Sequence, residues 1–309
     1  MTTGNLAFLF PGQGSQVVGM GHQLYDSSPA ARQVFDRIDE ALGRSLTQIM
    51  FDGPEDVLQK TINAQPAIMA VSLASLKALE ENLGTTLSPS FLAGHSLGEY
   101  TALPIAGALD IENTARLVQE RGRLMQIACD QRPGTMAAIL GMDESVVLDI
   151  AQKTGTYVSN INTAEQIVIS GDESGVLKAM ELAIAGGAKK AISLKVGGAF
   201  HSGLMEPARQ GLEDAVSKLP FSNPQIPIVA NCTGEPLSTA DSIRSELVGQ
   251  ITQCVQWRRS IEYMIDADVT RFVELGPGKA LAGMVKRINK DVPVVSVGDL
   301  DSIQTFTLS

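Results

Sequence analysis

The chain has 309 residues, with 24 Lys and Arg against 34 Asp and Glu, and a formal net charge of −10. Hydrophobic residues make up 44% and charged residues 19%, which indicates a folded, core-forming protein and not a disordered one. The acidic balance and the lack of a basic run argue against a nucleic-acid surface, because such a surface needs clustered Lys and Arg.

The three cysteines, Cys129, Cys232 and Cys254, are far apart and form no C-x-x-C pair. We therefore expect free thiols in a reducing cytoplasm, with neither a disulfide framework nor a zinc cluster. The N-terminal apolar run at 6–10 is too short and wrongly flanked for a signal peptide, and no run of 18 apolar residues exists. The sequence predicts a cytoplasmic protein that neither spans nor binds a membrane.

Short apolar runs alternate with helical patterns, which predicts an α/β protein with a mainly parallel sheet. Residues 5–10 are predicted to form a strand that enters a Gly-rich turn. Helices are predicted over 28–42 and from 66 to about 82. A short buried strand follows at 90–94, and a helical stretch begins after Ser96.

The segment 134–196 has a different order of elements: strand, helix, two strands, helix, strand. Asp143 and Asp172 are predicted to cap its two helices. The order β-α-β-β-α-β is that of a ferredoxin-like unit. We therefore expect an inserted small subdomain at 131–197 within a catalytic subdomain formed by 1–130 and 198–309. The remaining predicted elements are a strand at 271–275, a helix to about 289 and a last strand at 292–297.

The segment Gly94–Gly98 matches G-x-S-x-G, the nucleophile elbow. Serine is a poor nucleophile, and this motif holds it on a sharp strand-to-helix turn with its Oγ exposed. An apolar run precedes the motif and a helical pattern follows it, as the motif requires. The sequence therefore predicts Ser96 as a nucleophile.

A serine nucleophile needs a base, and only three histidines are available. His95 precedes Ser96, so its side chain should diverge from the serine, and His22 lies in a Gly-flanked stretch typical of a solvated turn. His201 is left, at the point where the chain returns from the inserted unit into the crevice between subdomains. No acidic partner is evident, so a backbone or amide acceptor is a candidate to orient the imidazole.

Arg121 lies inside the apolar stripe of a predicted helix, and an inward guanidinium must be paired. One alternative is an internal ion pair with an acidic residue such as Glu99. The other is a substrate carboxylate, which the planar fork of arginine binds bidentately. Spacing alone leaves both alternatives open.

Three weaker patterns are not expected to bind ligands. The G-x-G at 12–14 lacks the third glycine of a dinucleotide fingerprint, because Val17 stands there, and the Gly-Lys at 278–279 lacks the leading glycine of a phosphate loop. His95 and Glu99 have i, i+4 spacing but no third ligand, so we predict no metal.

With these residues in place, the sequence resembles the malonyl-CoA:acyl carrier protein transacylases of fatty-acid synthesis and the acyltransferases of polyketide synthases. The resemblance extends from near residue 5 to about 290. The matching segments are FPGQGSQ at 10–16, QPA at 65–67, GHSLGEY at 94–100, RGRLMQ at 121–126, NINTAEQIVISG at 160–171, AFHSGLM at 199–205, VQW at 255–257 and ELGPGKAL at 274–281.

The resemblance implies an α/β-hydrolase-like large subdomain with an inserted ferredoxin-like small subdomain. It also implies a ping-pong reaction in which a malonyl group moves from coenzyme A to a serine and then to the phosphopantetheine thiol of an acyl carrier protein. Malonyl-CoA and the carrier are then substrates, no cofactor is expected, and a monomer is the expected state.

Residue by residue, the resemblance makes Ser96 the nucleophile, His201 the base and Gln250 the residue whose carbonyl orients His201. It makes Arg121 the ligand of the malonyl carboxylate. The other implied positions are Gln13 and Leu97 as oxyanion-hole N–H donors, Phe200 as a mark of malonyl-selective relatives, and Asn160 and Asn162 where the thioester enters.

Two positions depart from the family pattern. Pro104 falls inside the helix after the elbow, where it should kink the helix and shift the back wall of the pocket. The GGAF run at 197–200 is more flexible than a typical approach to the histidine, which bears on tolerance for other acyl chains.

Two other functions use the same features differently. An acyl-thioester hydrolase would use Ser96 and His201 with water as the acceptor. A carrier-docking scaffold without turnover would not need an inward Arg121 beside an activated serine.

The implied carrier proteins are themselves acidic, so a chain with a net charge of −10 needs a local basic patch for docking. The candidates are Lys189, Lys190, Lys195, Lys286 and Arg287.

Overall fold

Two separate β-sheets organise the chain in the computed structural model, which describes residues 5–307. The strands are β1 (Leu6–Phe10), β2 (Phe91–Gly94), β3 (Thr135–Leu140), β4 (Tyr157–Thr163), β5 (Gln166–Gly171), β6 (Lys190–Ser193), β7 (Ile228–Val229), β8 (Pro236–Leu237), β9 (Arg271–Leu275) and β10 (Val294–Val297).

The helices fill the connections between these strands. They are α1 (His22–Ser27), α2 (Pro29–Leu42), α3 (Leu46–Asp52), α4 (Glu55–Leu58), α5 (Thr61–Leu83), α6 (Leu97–Ile105), α7 (Ile111–Gln131), α8 (Glu144–Thr154), α9 (Glu173–Ala185), α10 (Glu206–Ser217), α11 (Ala240–Gln250), α12 (Trp257–Asp266), α13 (Ala280–Ile288) and α14 (Leu300–Thr305), with a 3₁₀ turn at Gly203–Met205. Within the described part of the chain, no helix is both long enough and apolar enough to cross a membrane.

The larger sheet has six strands in the order β10-β9-β1-β2-β7-β8, parallel except for the edge strand β8. All five residues of β1 are buried, and they alternate between the two faces of the sheet. Phe8 and Phe10 join the apolar cluster that includes α5, whereas Ala7 and Leu9 join the cluster of α12 and α13. This two-sided burial explains why LAFLF is apolar at every position.

The smaller sheet is antiparallel, in the order β4-β5-β3-β6. Helix α8 connects β3 to β4, and α9 connects β5 to β6. Ala137 and Ile139 pack under these two helices, while Met136, Ala138 and Val168 face the large apolar cluster. The prediction of an α/β protein with a mainly parallel sheet, interrupted by a β-α-β-β-α-β unit, is therefore confirmed.

The two sheets are tied together at one bridge between β4 and the segment before α12. The Ile161 N–H donates to the Val255 carbonyl, and the Val255 N–H donates to the Ser159 carbonyl, each over 2.9 Å. This bridge joins the edge strand β4 of the small sheet to the loop before α12, where the Gln256 N–H donates to the carbonyl of Asn231, two residues after β7.

The predicted start of the second long helix is wrong. Helix α5 begins at Thr61, and Pro66 lies inside it. Proline removes one helical N–H and disfavours a helix interior. Here the segment is buried along most of its length, so tertiary packing outweighs that local cost. Helix α14, which follows the last strand, is also not predicted from the sequence.

Candidate active site

Ser96 lies on a sharp turn between β2 and α6, with φ 52° and ψ −104°. A positive φ is unfavourable for a residue with a Cβ, so the surrounding contacts must hold it in place. The motif glycines permit the close approach. A Cβ on Gly94 would lie 1.9 Å from the Gly98 carbonyl carbon, and one on Gly98 would lie 2.0 Å from the Phe10 oxygen. The predicted strand–turn–helix context is confirmed.

Two side chains from elsewhere in the chain hold this turn. The Ser96 N–H donates to Asn231 Oδ1 over 2.7 Å, and Gln250 Nε2 donates to the Ser96 carbonyl over 2.9 Å. Asn231 is not among the site residues predicted from the sequence. The available signal was its position two residues after Val229, at the carboxyl end of a strand that neighbours β2, where ligand sites of parallel sheets lie.

His201 lies against the serine hydroxyl. Its Nε2 is 2.8 Å from Ser96 Oγ, and its Nδ1 is 2.8 Å from the Gln250 carbonyl oxygen. Burial, and then the nearby Arg121 cation, lower the pKa of His201 from 6.5 to about 3. The imidazole is therefore neutral at neutral pH. With Nδ1–H donating to the Gln250 carbonyl, Nε2 is free to accept the Ser96 proton.

Arg121 is buried, and its guanidinium points at the same hydroxyl. Nη1 donates to Gln65 Oε1 over 2.7 Å, and Nη2 donates to Gln250 Oε1 over 2.8 Å and to Ser96 Oγ over 3.1 Å. The guanidinium carbon also lies 4.9 Å from the centre of the Tyr100 ring. Gln65 is a second site residue not predicted from the sequence, although it belongs to the QPA segment.

The internal ion pair, one of the two alternatives for Arg121, is not formed. Within residues 5–307, no carboxylate lies within 4.0 Å of the guanidinium, and the Arg121 Nε has no hydrogen-bond partner. Glu99 instead accepts from the Asn231 N–H and from Gln250 Nε2. Nε and Nη2 form one edge of the guanidinium, and on this edge Nε is unpaired while Nη2 donates to Ser96 Oγ and Gln250 Oε1.

Two further backbone donors lie beside the serine. The N–H groups of Gln13 and Leu97 donate to no acceptor in the described part of the chain. Leu97 is the first residue of α6, where helical N–H groups have no partner within the helix. The loop of Gln13 reaches the site because Gly12 packs on the elbow, where a Cβ would lie 2.6 Å from the His95 oxygen.

A cavity of about 590 Å³ between the two sheets connects these groups. The predicted site residues that line it are Gln13, Ser96, Leu97, Arg121, Asn160, Asn162, Phe200 and His201. Gln250 is fully buried and bonds to Ser96, Arg121 and His201 from behind the cavity wall. Pro104 does not line the cavity. It lies in the last turn of α6, which ends at Ile105.

His95 diverges from the serine as predicted. Its Nε2 lies 2.9 Å from Asn162 Oδ1, so it joins the elbow to strand β4 of the small sheet. His22 is not in a loop but begins α1, where its ring stacks on Phe51 at 4.6 Å.

The Gly-Lys turn at 278–279 leads into α13, and the N-terminus of that helix is already occupied. The buried Glu274 carboxylate accepts from the N–H groups of Leu281 and Ala282, each over 3.0 Å. A protein carboxylate thus fills the place where a phosphate loop would bind its ligand.

The candidate docking cations have different surroundings. Lys189 pairs with Glu165 at 3.2 Å, and Arg287 Nη1 donates to Gln166 Oε1 over 3.4 Å. Lys195 is exposed and lines the cavity.

A serine on a strained turn, a neutral histidine on its hydroxyl and free N–H donors beside it can form and discharge an acyl-serine. The chain belongs to the acyl transferase domain family, whose model matches residues 7–302. This match confirms the resemblance drawn from the motifs.

Individual relatives match over nearly their whole length. The chain is 41% identical over 304 residues to the malonyl CoA-acyl carrier protein transacylase of Bacillus subtilis strain 168, covering 97% of this chain and 95% of that one. The crystal structure of the acyl-carrier-protein S-malonyltransferase of Bartonella henselae superimposes with a TM-score of 0.93 at 43% identity, covering 97% of each chain. A malonyl-transacylase in complex with its type II polyketide synthase acyl carrier protein matches with a TM-score of 0.93 at 36% identity, covering 97% of this chain and 98% of that one.

Proposed function

We propose that this chain transfers a malonyl group from malonyl-CoA to the phosphopantetheine thiol of an acyl carrier protein, through a malonyl-Ser96 intermediate. The observation that carries the proposal is the 3.1 Å hydrogen bond from Arg121 Nη2 to Ser96 Oγ. In a malonyl group bound at that oxygen, a single CH₂ separates the carboxylate from the ester carbonyl carbon. The carboxylate is therefore within reach of the guanidinium. The names of the relatives, transacylases that act on malonyl-CoA and carrier proteins, support the same reaction.

In the first half-reaction, His201 Nε2 takes the proton of Ser96 Oγ as that oxygen attacks the thioester carbonyl carbon. The carbon–sulfur bond then breaks, and the coenzyme A sulfur leaves with the proton from His201. The Gln250 carbonyl accepts from Nδ1–H throughout, which keeps the tautomer and favours the imidazolium that forms. In the second half-reaction, His201 takes the proton of the carrier thiol, which attacks the malonyl-serine ester. Ser96 Oγ leaves and regains the proton.

The N–H groups of Gln13 and Leu97 are proposed to hold the oxyanion that forms in each half-reaction. Among residues 5–307 neither N–H has an acceptor, and both residues line the cavity with Ser96. Removing one such donor costs about 10²-fold in rate in comparable sites.

Arg121 is proposed to bind the malonyl carboxylate through Nε and Nη2. Nε has no hydrogen-bond partner within the described part of the chain, and leaving a buried donor unpaired is costly, so a ligand acceptor there is favourable. Phe200 lines the cavity beside His201 and limits the space beside the acyl group. Asn160 and Asn162 line it from the small sheet and are proposed to face the thioester arm.

The finer description of the fold follows the same proposal. The six-stranded sheet, with the nucleophile turn after β2, is α/β-hydrolase-like. The four-stranded sheet in the order β4-β5-β3-β6, with α8 and α9 as its connecting helices, is ferredoxin-like. We propose 131–197 as the small subdomain, and 1–130 with 198–309 as the catalytic one. Three free cysteines fit a reducing compartment such as the cytoplasm.

The proposal is tested by intact-mass analysis after incubation with malonyl-CoA, and again after holo carrier protein is added. We expect a malonyl adduct on the enzyme that disappears as the same mass appears on the carrier. The variant Ser96→Ala, with the same cavity but no hydroxyl, is the control and should carry no adduct. Release of the group as free malonate, with none on the carrier, would favour the hydrolase alternative. A wild-type enzyme with no adduct would overturn both.

A further inference from the structure

A buried carboxylate, Glu99, lies directly behind the nucleophile and takes no part in the reaction as proposed above. Its side chain is 1% exposed. Oε1 accepts from the Asn231 N–H over 2.8 Å, and Oε2 accepts from Gln250 Nε2 over 2.6 Å. A buried carboxylate is costly unless donors satisfy it, and here both oxygens are satisfied by residues that touch the serine turn.

Asn231 connects Glu99 to the elbow. Its backbone N–H donates to Glu99, while its side chain accepts the Ser96 N–H and donates to the Gly94 carbonyl over 2.7 Å. The strained φ of Ser96 is therefore held on one side by a residue that Glu99 holds in turn.

Gln250 connects Glu99 to the other two groups of the site. Its Nε2 donates both to Glu99 Oε2 and to the Ser96 carbonyl, which leaves its Oε1 to accept from Arg121 Nη2. If the amide rotated by 180°, its NH₂ would face the Arg121 donor and its oxygen would face two acceptors. Glu99 therefore helps to select the amide orientation that holds Arg121.

We infer that Glu99 is a positioning residue for acyl transfer: through Asn231 it holds Ser96, and through the Gln250 amide it holds the Arg121 fork that binds the carboxylate. This inference rests on the proposed function. Glu99 touches neither the hydroxyl nor the cavity, so it acts only through these two neighbours.

A purely structural role makes a different prediction for the variant Glu99→Gln. Both oxygens of Glu99 accept from N–H donors, so the NH₂ of a glutamine must face one of those donors in either orientation. That conflict displaces either Asn231 or the Gln250 amide. A displaced Gln250 amide shifts Arg121 and lowers malonyl loading more than acetyl loading, whereas a displaced Asn231 shifts Ser96 and lowers both.

Glu246 provides a matched control. It is a second buried carboxylate near Glu99, but only one of its oxygens accepts a backbone N–H, that of Cys232, over 2.8 Å. The variant Glu246→Gln can keep that bond with its carbonyl oxygen. It makes the same change from carboxyl to amide without placing a donor against Gln250 or Asn231.

The test measures malonyl and acetyl loading of the enzyme by intact mass, for wild type, Glu99→Gln and Glu246→Gln, together with thermal unfolding. For Glu99→Gln we expect the malonyl-to-acetyl ratio of kcat/KM to fall about tenfold, the scale of one lost charge-assisted hydrogen bond. Glu246→Gln should keep the wild-type ratio. Wild-type loading rates for both acyl groups in a folded Glu99→Gln enzyme, or the same losses in Glu246→Gln as in Glu99→Gln, would overturn the inference.

The variant Glu99→Asp carries the test if Glu99→Gln does not fold. It keeps the carboxyl group, but its shorter side chain cannot reach both donors. The malonyl-to-acetyl ratio of kcat/KM should therefore lie between the wild-type value and that of Glu99→Gln. A wild-type ratio in a folded Glu99→Asp enzyme would contradict the inference. A wild-type enzyme that carries no malonyl adduct would instead overturn the proposed function, so the two failures are distinguishable.

Discussion

Arg121 and Ser96, 25 residues apart in the chain, share a 3.1 Å hydrogen bond in which the guanidinium donates to the nucleophilic oxygen. The neutral His201 lies 2.8 Å from the same oxygen. One hydroxyl thus faces a base and a buried cation at once. The cation favours the deprotonated serine and disfavours a protonated His201, so the three groups are electrostatically coupled.

The buried His201 predicts a pH dependence of stability. Its pKa is about 3 in the folded protein against 6.5 ordinarily, so below pH 6.5 the unfolded chain binds a proton that the folded chain does not. The contribution of His201 to the free energy of unfolding should therefore fall as the pH drops from 6.5 toward 3.

This dependence is measured as the difference in unfolding free energy between wild type and His201→Asn, determined with urea at several pH values. The subtraction removes the groups that titrate in both proteins. We expect the free energy of unfolding of wild type, relative to that of His201→Asn, to decrease as the pH is lowered. A difference that stays constant or grows between pH 7 and 4 would contradict the neutral, buried imidazole.

The segment 197–201, which carries Phe200 and His201, packs against Cys129 of α7. A Cβ on the buried Gly198 would lie 2.1 Å from Cys129 Sγ. The variant Gly198→Ala must therefore push the segment away, with an overpacking cost of about 1–3 kcal/mol and slower malonyl loading. Adding Cys129→Ala removes the sulfur, and the double variant should regain most of both losses.

The neighbouring Gly197 supplies the control for this pair, because a Cβ there would meet nothing within 4 Å. Loading kinetics and thermal unfolding of Gly197→Ala should stay near wild type. The prediction is wrong if Gly197→Ala lowers stability and loading rate as much as Gly198→Ala, or if adding Cys129→Ala to Gly198→Ala restores neither. The contact with Cys129 would then not determine the position of the segment.

The carrier-docking hypothesis concerns Lys189 and Lys190 on the small sheet. Reversing both to Glu should raise the KM for the carrier several-fold and leave malonyl loading unchanged, because rim charges act on encounter more than on chemistry. Lys153→Glu is the control, since Lys153 forms a similar exposed pair with Asp149 as Lys189 does with Glu165. Equal damage to both half-reactions would contradict the hypothesis.

The sequence predicted the groups whose chemistry depends on local pattern. Ser96 was identified by its motif, and His201 was identified because the two other histidines had plainer explanations. Their partnership crosses 105 residues, yet it could be inferred because a serine nucleophile requires a base.

The residues that hold these groups could not be predicted in the same way. The strand end before Asn231 and the QPA segment around Gln65 mark positions near the site, but they do not show which groups these side chains contact, because the fold decides that. Spacing alone left Arg121 between two explanations, because the periodicity of α7 shows that a side chain is buried but not which group it meets. The start of α5 was missed for a related reason: Pro66 locally indicates the first turn of a helix, whereas the buried helix begins five residues earlier, at Thr61.

Competitive loading tests the central claim, that Arg121 selects a malonyl group at Ser96, most directly. Enzyme is mixed with equal concentrations of malonyl-CoA and acetyl-CoA, and the amounts of the two adducts are measured by mass for wild type and Arg121→Ala. The control is Arg123→Ala, because Arg123 is an exposed arginine on the same helix that pairs with Glu120. We expect malonyl loading of Arg121→Ala to fall about 10²-fold while acetyl loading is spared or improved, and Arg123→Ala to match wild type. If Arg121→Ala loses malonyl and acetyl loading equally, Arg121 does not bind the carboxylate and the claim is wrong.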